Sequence, residues 1–175
     1  MKAIKIFFIS IMLIICSVVF VSARPTNVIQ GKNAPIFKAI DFNDKTFDLN
    51  DSYGKKPIVI TFFSVRCVSC LTVVSILEKF KHQKKITNEV EFLYVSLDDW
   101  KKEPHIPPVW KEVFKEEKQM RINDGKREIG KLYEVDILPV TIIIDKTGKI
   151  IYRRDDYNLD FDSEITKELN SLLPK

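Results

Sequence analysis

The sequence predicts an α/β domain built on a mixed central sheet that helices cover on both faces. Three observations carry this. Residues 58–63 form an almost continuous apolar run, the pattern of a strand buried on both sides. Apolar residues then recur at helical spacing from position 67 to about 85. Finally, the segments 140–144 and 149–153 flank Asp145-Lys146-Thr147-Gly148, a strong hairpin signal. Strands alternating with helices and closing in an antiparallel pair give the mixed, doubly covered sheet.

Taken in order, residues 24–35 show no periodicity and are expected as a flexible lead-in. Residues 37–41 and 46–49 alternate apolar and polar around Asn43-Asp44, which predicts a hairpin. Residues 50–56 are a polar turn region closed by Pro57, ahead of the central strand. In the helix that follows, Cys70, Val73, Val74, Leu77 and Phe80 form the apolar face, leaving Glu78, Lys79 and Lys81 for solvent. Residues 90–97 read as the next strand and 98–108 as an irregular loop. A helix is expected from Pro108 or Val109 to Lys118, since proline is tolerated in a first turn. Residues 119–122 suit a short strand, and Asp124 suits the cap of a helix running to Tyr133. The last helix, over 162–173, should bury Ile165, Leu169, Leu172 and Leu173. No internal repeat, low-complexity tract or second domain is evident.

The 175-residue chain opens with Lys2 and Lys5, an apolar run over 6–21, and Val21-Ser22-Ala23 ahead of Arg24-Pro25. This reads as a secretory signal peptide over residues 1–23, cut after Ala23. A retained N-terminal membrane anchor is the alternative, although the run is short for a span and is interrupted by Ser10 and Ser17. Cys16 follows Ile15, which is bulky where a bacterial lipoprotein signal needs a small residue, so lipidation is not expected. Cleavage leaves 152 residues, enough for one domain with a proper core, and only two cysteines, Cys67 and Cys70. A loop that small constrains little of the unfolded chain, so chemistry explains the pair better than stapling. Loss of Lys2 and Lys5 leaves 26 basic residues against 24 acidic ones, a net charge of about +2. Such a balance predicts neither nucleic acid nor an anionic membrane surface as the main partner.

Cys67-Val68-Ser69-Cys70 stands where the central strand gives way to a helix, the arrangement of a dithiol redox site. A cysteine among the unpaired N–H groups of a helix start gains thiolate character, which makes Cys67 the nucleophile. Cys70, one turn on, is the resolving thiol. Half of a zinc site is the competing reading, but zinc takes four N or S ligands and no second pair exists. His82 falls on the polar side of its helix and His105 in a Pro-rich loop, and both are expected at the surface. Pro139 follows Ile137-Leu138 and directly precedes a buried strand. A cis peptide after Leu138 would bring the Leu138 backbone beside the cysteines, whereas a plain loop proline would not, and pattern leaves both open.

Several segments together resemble one family: Gly31-Lys-Asn-Ala-Pro35-Ile-Phe37, Asn43-Asp-Lys-Thr-Phe-Asp-Leu49, Gly54-Lys-Lys-Pro57, Thr61-Phe-Phe-Ser-Val-Arg-Cys67-Val-Ser-Cys70, and Tyr133-Glu-Val-Asp-Ile-Leu-Pro139-Val-Thr-Ile-Ile-Ile-Asp145-Lys-Thr-Gly148-Lys-Ile150. They are similar to the TlpA/ResA-like thiol-disulfide oxidoreductases of the thioredoxin superfamily. The resemblance implies a thioredoxin-like fold over residues 36–175 with an N-terminal β-hairpin extension, and a cis-proline at Pro139 packed against the disulfide. It implies a surface Cys67 that attacks substrate disulfides and a buried Cys70 that resolves the mixed disulfide. Relatives work outside the cytoplasmic membrane, many in cytochrome c maturation, recharged by a membrane-embedded thiol reductant and needing no bound cofactor.

The chain departs from the family pattern at four places. Arg66 replaces the usual aromatic before the first cysteine, Ser69 the frequent proline before the second, and Ile137 the glycine two before the cis-proline. Thr61 and Val73 stand where many relatives carry a buried acid. A fixed charge at Arg66 would favour the Cys67 thiolate and make the pair more oxidising. Pointed at solvent it would be screened, or would serve only to dock a partner.

Two functions fit these residues. One is an exported thiol-disulfide oxidoreductase acting on protein thiols and disulfides, with substrate backbone pairing beside Pro139. The alternative is a thioredoxin-fold copper-binding module using the same two thiolates, which suit Cu(I). Related copper carriers add a histidine, and neither His82 nor His105 can be placed at the pair from sequence. A peroxidase reading lacks the threonine-proline context around the reactive cysteine.

Overall fold

A hairpin of β1 (Lys38–Ile40) and β2 (Thr46–Asp48) leads through a short 3-10 turn into β3 (Ile58–Phe63), all six of whose residues are buried. The computed structural model describes residues 30–42, 44–86, 88–99, 102, 106–114 and 120–173. The expected signal peptide, Cys16, His105 and the first part of the lead-in lie outside these residues. After β3 come α1 (Val68–Lys84), β4 (Glu91–Ser96), α2 (Pro108–Val113), β5 (Met120–Asn123), α3 (Glu128–Leu132), β6 (Val140–Ile144), β7 (Ile150–Asp155) and α4 (Phe161–Leu172).

The five-stranded sheet has the order β5-β4-β3-β6-β7. β3 pairs in parallel with β4, and β4 with β5, while β6 runs antiparallel to both β3 and β7. Central placement explains why β3 carries no alternation: both of its faces are covered. Ile58, Ile60 and Phe62 point to a core shared with Phe37, Phe47, Leu49 and Tyr133. Val59 and Phe63 point to the opposite core, with Cys70, Val73, Val74 and Leu77 of α1 and Trp110 of α2. This is the mixed, doubly covered sheet expected from the sequence, with the N-terminal hairpin in place.

Five local expectations are corrected. Residues 30–35 are tied down rather than loose: the Gly31 and Ala34 amides donate to the Ile150 and Gly148 carbonyls at 2.8 and 2.9 Å, and Tyr133 Oη donates to the Pro35 carbonyl at 2.7 Å. Glu78 and Lys81 are buried, not solvated, because Tyr94 of β4 gives the carboxylate a partner inside. α2 stops at Val113, where Phe114 leaves helical geometry and stacks on Trp110. α3 begins at Glu128, later than expected. Asp124 still serves it, since its carboxylate accepts from the Ile129 and Gly130 amides at 3.2 and 2.7 Å while burial pushes that carboxyl up. Leu172 and Leu173 are only half-buried at the end of α4.

The β6–β7 turn depends on Gly148. Its φ is +84°, and a Cβ there would run into the Tyr53 ring, whose hydroxyl donates to the Gly148 carbonyl at 3.0 Å. Asp145 Oδ1 closes the same turn by accepting from the Thr147 and Lys149 amides.

Candidate active site

At the C-terminal end of β3 the chain turns through Ser64, Val65 and Arg66 and enters α1 at Cys67. Cys67 is the N-cap, with extended backbone (φ −95°, ψ 108°), and its sulfur accepts from the Cys70 amide at 3.1 Å. It is joined to Cys70 by a disulfide with a Cα–Cα separation of 5.2 Å. Cys67 Sγ lies 3.4 Å from Ser69 Oγ. A thiolate formed there upon reduction would meet both the amide and the positive end of the α1 dipole. Cys67 is half-buried, whereas Cys70 is 0% exposed among Val73, Val74 and Phe63. Of the two cysteines, only Cys67 has surface exposed to the outside.

Pro139 follows a cis peptide bond from Leu138. In the β3–β6 ladder Phe62 faces Val140, so Pro139 lies beside the end of β3 from which the cysteines emerge. Pro139 is buried, and its carbonyl accepts from the Asp156 amide at 2.8 Å. Leu138 is half-buried and packs against both cores, one of which it shares with Cys67. Among the described residues its amide and carbonyl make no hydrogen bond. Cys67, Cys70, Leu138 and Pro139 are thus gathered at one end of the sheet.

Arg66 is exposed, and its amide donates to Ser64 Oγ at 3.2 Å. Val68 and Ile137 are 82% and 46% exposed, giving the site an apolar margin. Thr61 and Val73 are both fully buried, and Thr61 faces Thr141 directly across the β3–β6 ladder. His82 lies on the last turn of α1, 3.9 Å from the Glu78 carboxylate. Among the described residues no three of His, Cys, Asp and Glu gather as a metal ligand set, and no helix is long and apolar enough to cross a membrane.

Pattern reading missed Asp98. This buried residue accepts from Ser64 Oγ and from the Val65 amide at 2.7 and 2.8 Å, while Trp110 Nε1 donates to the Val65 carbonyl at 3.0 Å. The one local hint is an acid directly after the buried strand, in Ser96-Leu97-Asp98.

The sequence model of the Redoxin family matches residues 29–169. Among solved structures, a Chlorobium tepidum protein assigned as the thiol:disulfide interchange protein DsbE superposes with a TM-score of 0.70 at 18% identity, covering 83% of this chain and 98% of that one. The thioredoxin domain of a Bacteroides vulgatus thiol-disulfide oxidoreductase gives 0.59 at 23% identity, with 81% and 98% covered. A secreted Mycobacterium tuberculosis disulfide oxidoreductase homologous to Escherichia coli DsbE gives 0.61 at 16% identity, with 78% and 96% covered. At such identities these likenesses speak for the fold. No curated protein matches the sequence significantly.

Proposed function

The chain belongs to the Redoxin family and is a thiol-disulfide oxidoreductase of thioredoxin fold, and from that premise we propose that Cys67 is its nucleophile and Cys70 its resolving thiol. The observation that carries this assignment is the asymmetry of the pair: a partly exposed cysteine at the helix N-cap and a second one fully buried behind it. In the reduced enzyme the Cys67 thiolate attacks one sulfur of a substrate disulfide, forming a mixed disulfide and releasing one substrate thiolate. The Cys70 thiolate then attacks Cys67 Sγ, closing the intramolecular disulfide and releasing the second substrate thiolate. Two electrons pass to the substrate, and a dithiol reductant then supplies two more, reducing the Cys67–Cys70 disulfide and being oxidised to a disulfide itself.

Substrate backbone is proposed to pair with Leu138, whose unengaged amide and carbonyl lie at the cysteine end of the sheet. Val68 and Ile137 supply apolar surface on which a polypeptide can rest. Export with cleavage after Ala23, a membrane-embedded thiol reductant as electron donor, and service in cytochrome c maturation complete the reading. The N-terminal apolar run with its Val21-Ser22-Ala23 ending supports export, and the family resemblance supports the donor and the pathway.

The test is reduction of insulin with a dithiol reductant as donor. Cys67→Ser should abolish it, while Cys70→Ser should accumulate mixed disulfides because attack survives and resolution does not. Full activity in Cys67→Ser would reverse the assignment. N-terminal sequencing of the exported protein decides the leader: a chain beginning at Arg24 supports cleavage, and an intact Met1 or Lys2 terminus in membranes supports the anchor.

A further inference from the structure

We propose that Asp98 is a positioning residue that sets the reduction potential of the cysteine pair, by holding the turn into Cys67 and by placing a buried negative charge beside it. The inference rests on the reading of Cys67 as nucleophile. Asp98 is 5% exposed and follows the end of β4, next to the end of β3. Its Oδ1 accepts from Ser64 Oγ at 2.7 Å, and its Oδ2 accepts from the Val65 amide at 2.8 Å and from Ser96 Oγ at 2.9 Å. Three donors converging on one acidic side chain are the environment of an acceptor-only carboxylate. Among the described residues no lysine or arginine forms an ion pair with it. Among those residues the charge is hydrogen-bonded but not neutralised.

The hold passes along the chain. Ser64 Oγ, fixed by Asp98, accepts from the Arg66 amide at 3.2 Å, and the Ser64 carbonyl accepts from the Cys67 amide at 3.1 Å. One carboxylate therefore sets the three residues that deliver Cys67 to the helix start. Gly125 backs it from the other side: a Cβ there would stand 2.8 Å from Asp99 Cα and 3.2 Å from the Asp98 carbonyl oxygen.

The sign of the electrostatic effect follows from distance and burial. Val65 is hydrogen-bonded to Asp98, and two residues of chain span at most about 7 Å, so the charge lies within about 10 Å of Cys67. Screening is weak for a buried charge. A negative charge there disfavours the Cys67 thiolate, hence the reduced form, and makes the pair more reducing. The other charges nearby are Arg66, exposed and adjacent to Cys67; Asp99, paired with Lys102 at 3.1 Å; and Asp124, held by the α3 amides.

The purified protein and two variants test this, through thiolate absorbance titration, redox titration against glutathione and the rate of insulin reduction. In Asp98→Asn the carbonyl can accept from Val65 and Ser96 while the amide donates to Ser64 Oγ, so the turn is kept and the charge is lost. The expected result is a Cys67 titration at lower pH and a threefold to tenfold shift of the glutathione equilibrium toward the reduced form, tenfold being about 30 mV. Ser64→Ala keeps the charge and cuts the link to Arg66. It should slow insulin reduction about tenfold, with the equilibrium within twofold of wild type. A folded Asp98→Asn with wild-type titration and potential overturns the proposal, whatever its melting temperature. Should that variant not fold, a wild-type rate in Ser64→Ala overturns it. Failure of the underlying reading shows separately, as absent insulin reduction in wild type or retained activity in Cys67→Ser.

Discussion

Tyr94 donates its hydroxyl to Glu78 Oε1 at 2.5 Å across the gap between β4 and α1, and Lys81 Nζ reaches both oxygens of the same carboxylate, at 2.8 and 2.7 Å. All three residues are buried, and the Lys81 ammonium also sits 5.9 Å above the Phe92 ring. Glu78→Ala would leave that ammonium without its counter-charge, and should cost about 3–5 kcal/mol in urea unfolding. Replacing the ion pair together, as Glu78→Leu with Lys81→Met, should recover most of the loss. A loss under about 1 kcal/mol for Glu78→Ala would show that water reaches the lysine.

Alkaline pH should destabilise the fold through its tyrosines. Burial, and then the Glu78 charge, hold the Tyr94 hydroxyl well above its ordinary value; burial likewise raises Tyr133, and it raises Tyr152 to about 12. A group that loses its proton more readily unfolded than folded contributes stability that is intact below pH 10 and declines as pH rises through the folded value. Urea midpoints should stay level from pH 8 to about 10 and then fall. Phenolate absorbance should lag behind that of free tyrosine until unfolding.

Tyr152 gives this a control. Among the described residues its buried hydroxyl has no hydrogen-bond partner, so Tyr152→Phe should be neutral or slightly stabilising at pH 7 and should soften the loss above pH 10. Thr61→Val and Thr141→Val remove two more buried hydroxyls that lack partners among the described residues, and should likewise not destabilise. A drop of about 1 kcal/mol or more in either threonine variant would mean that its hydroxyl is bonded in solution.

Two glycines separate backbone strain from crowding. Gly54 has φ +76° with open space around it, so Gly54→Ala should cost about 1 kcal/mol. Gly148→Ala adds displacement of the Tyr53 ring and should cost about 2 kcal/mol more, read from thermal or urea unfolding. Equal costs would mean that Tyr53 swings away freely.

Arg66 is exposed, so its charge should act on Cys67 only through screened water. Arg66→Gln is expected to move the glutathione equilibrium by less than about threefold, and by nothing measurable in ~0.5 M salt. A larger shift that survives salt would place the guanidinium against the sulfur.

Elements whose burial is decided by their own composition were legible in advance: β3 with its six buried positions, the apolar face of α1, and the β6–β7 hairpin. Cys67 and Cys70 were legible because local spacing puts them at a helix start. What pattern misjudged was settled by partners distant in sequence. Glu78 is placed on the wet side of its helix by charge alone, and its pairing with Lys81 together with Tyr94, sixteen residues on, makes its burial tolerable. Asp98 reads as loop until β4 lies against β3 and its carboxylate meets Ser64 and Val65. The cis bond before Pro139 was open on pattern and came from the family resemblance; the structure has it.

The segment ahead of β3 also has a bearing on self-association. Its residues 31–33 lie along the start of β7, where the Ile150 amide donates to the Lys32 carbonyl at 2.9 Å and Asn33 bridges to Lys149. A few residues on, Asp41 bridges to Ile122 and the Phe42 amide donates to the Arg121 carbonyl at 3.1 Å, on the outer side of β5. One stretch of chain thereby occupies part of both margins of the sheet, where unsatisfied backbone would otherwise template edge-to-edge aggregation. An incoming strand is turned away from β5 and β7 at those positions, which leaves the Leu138 backbone, unbonded among the described residues, as the partner proposed above for an extended polypeptide.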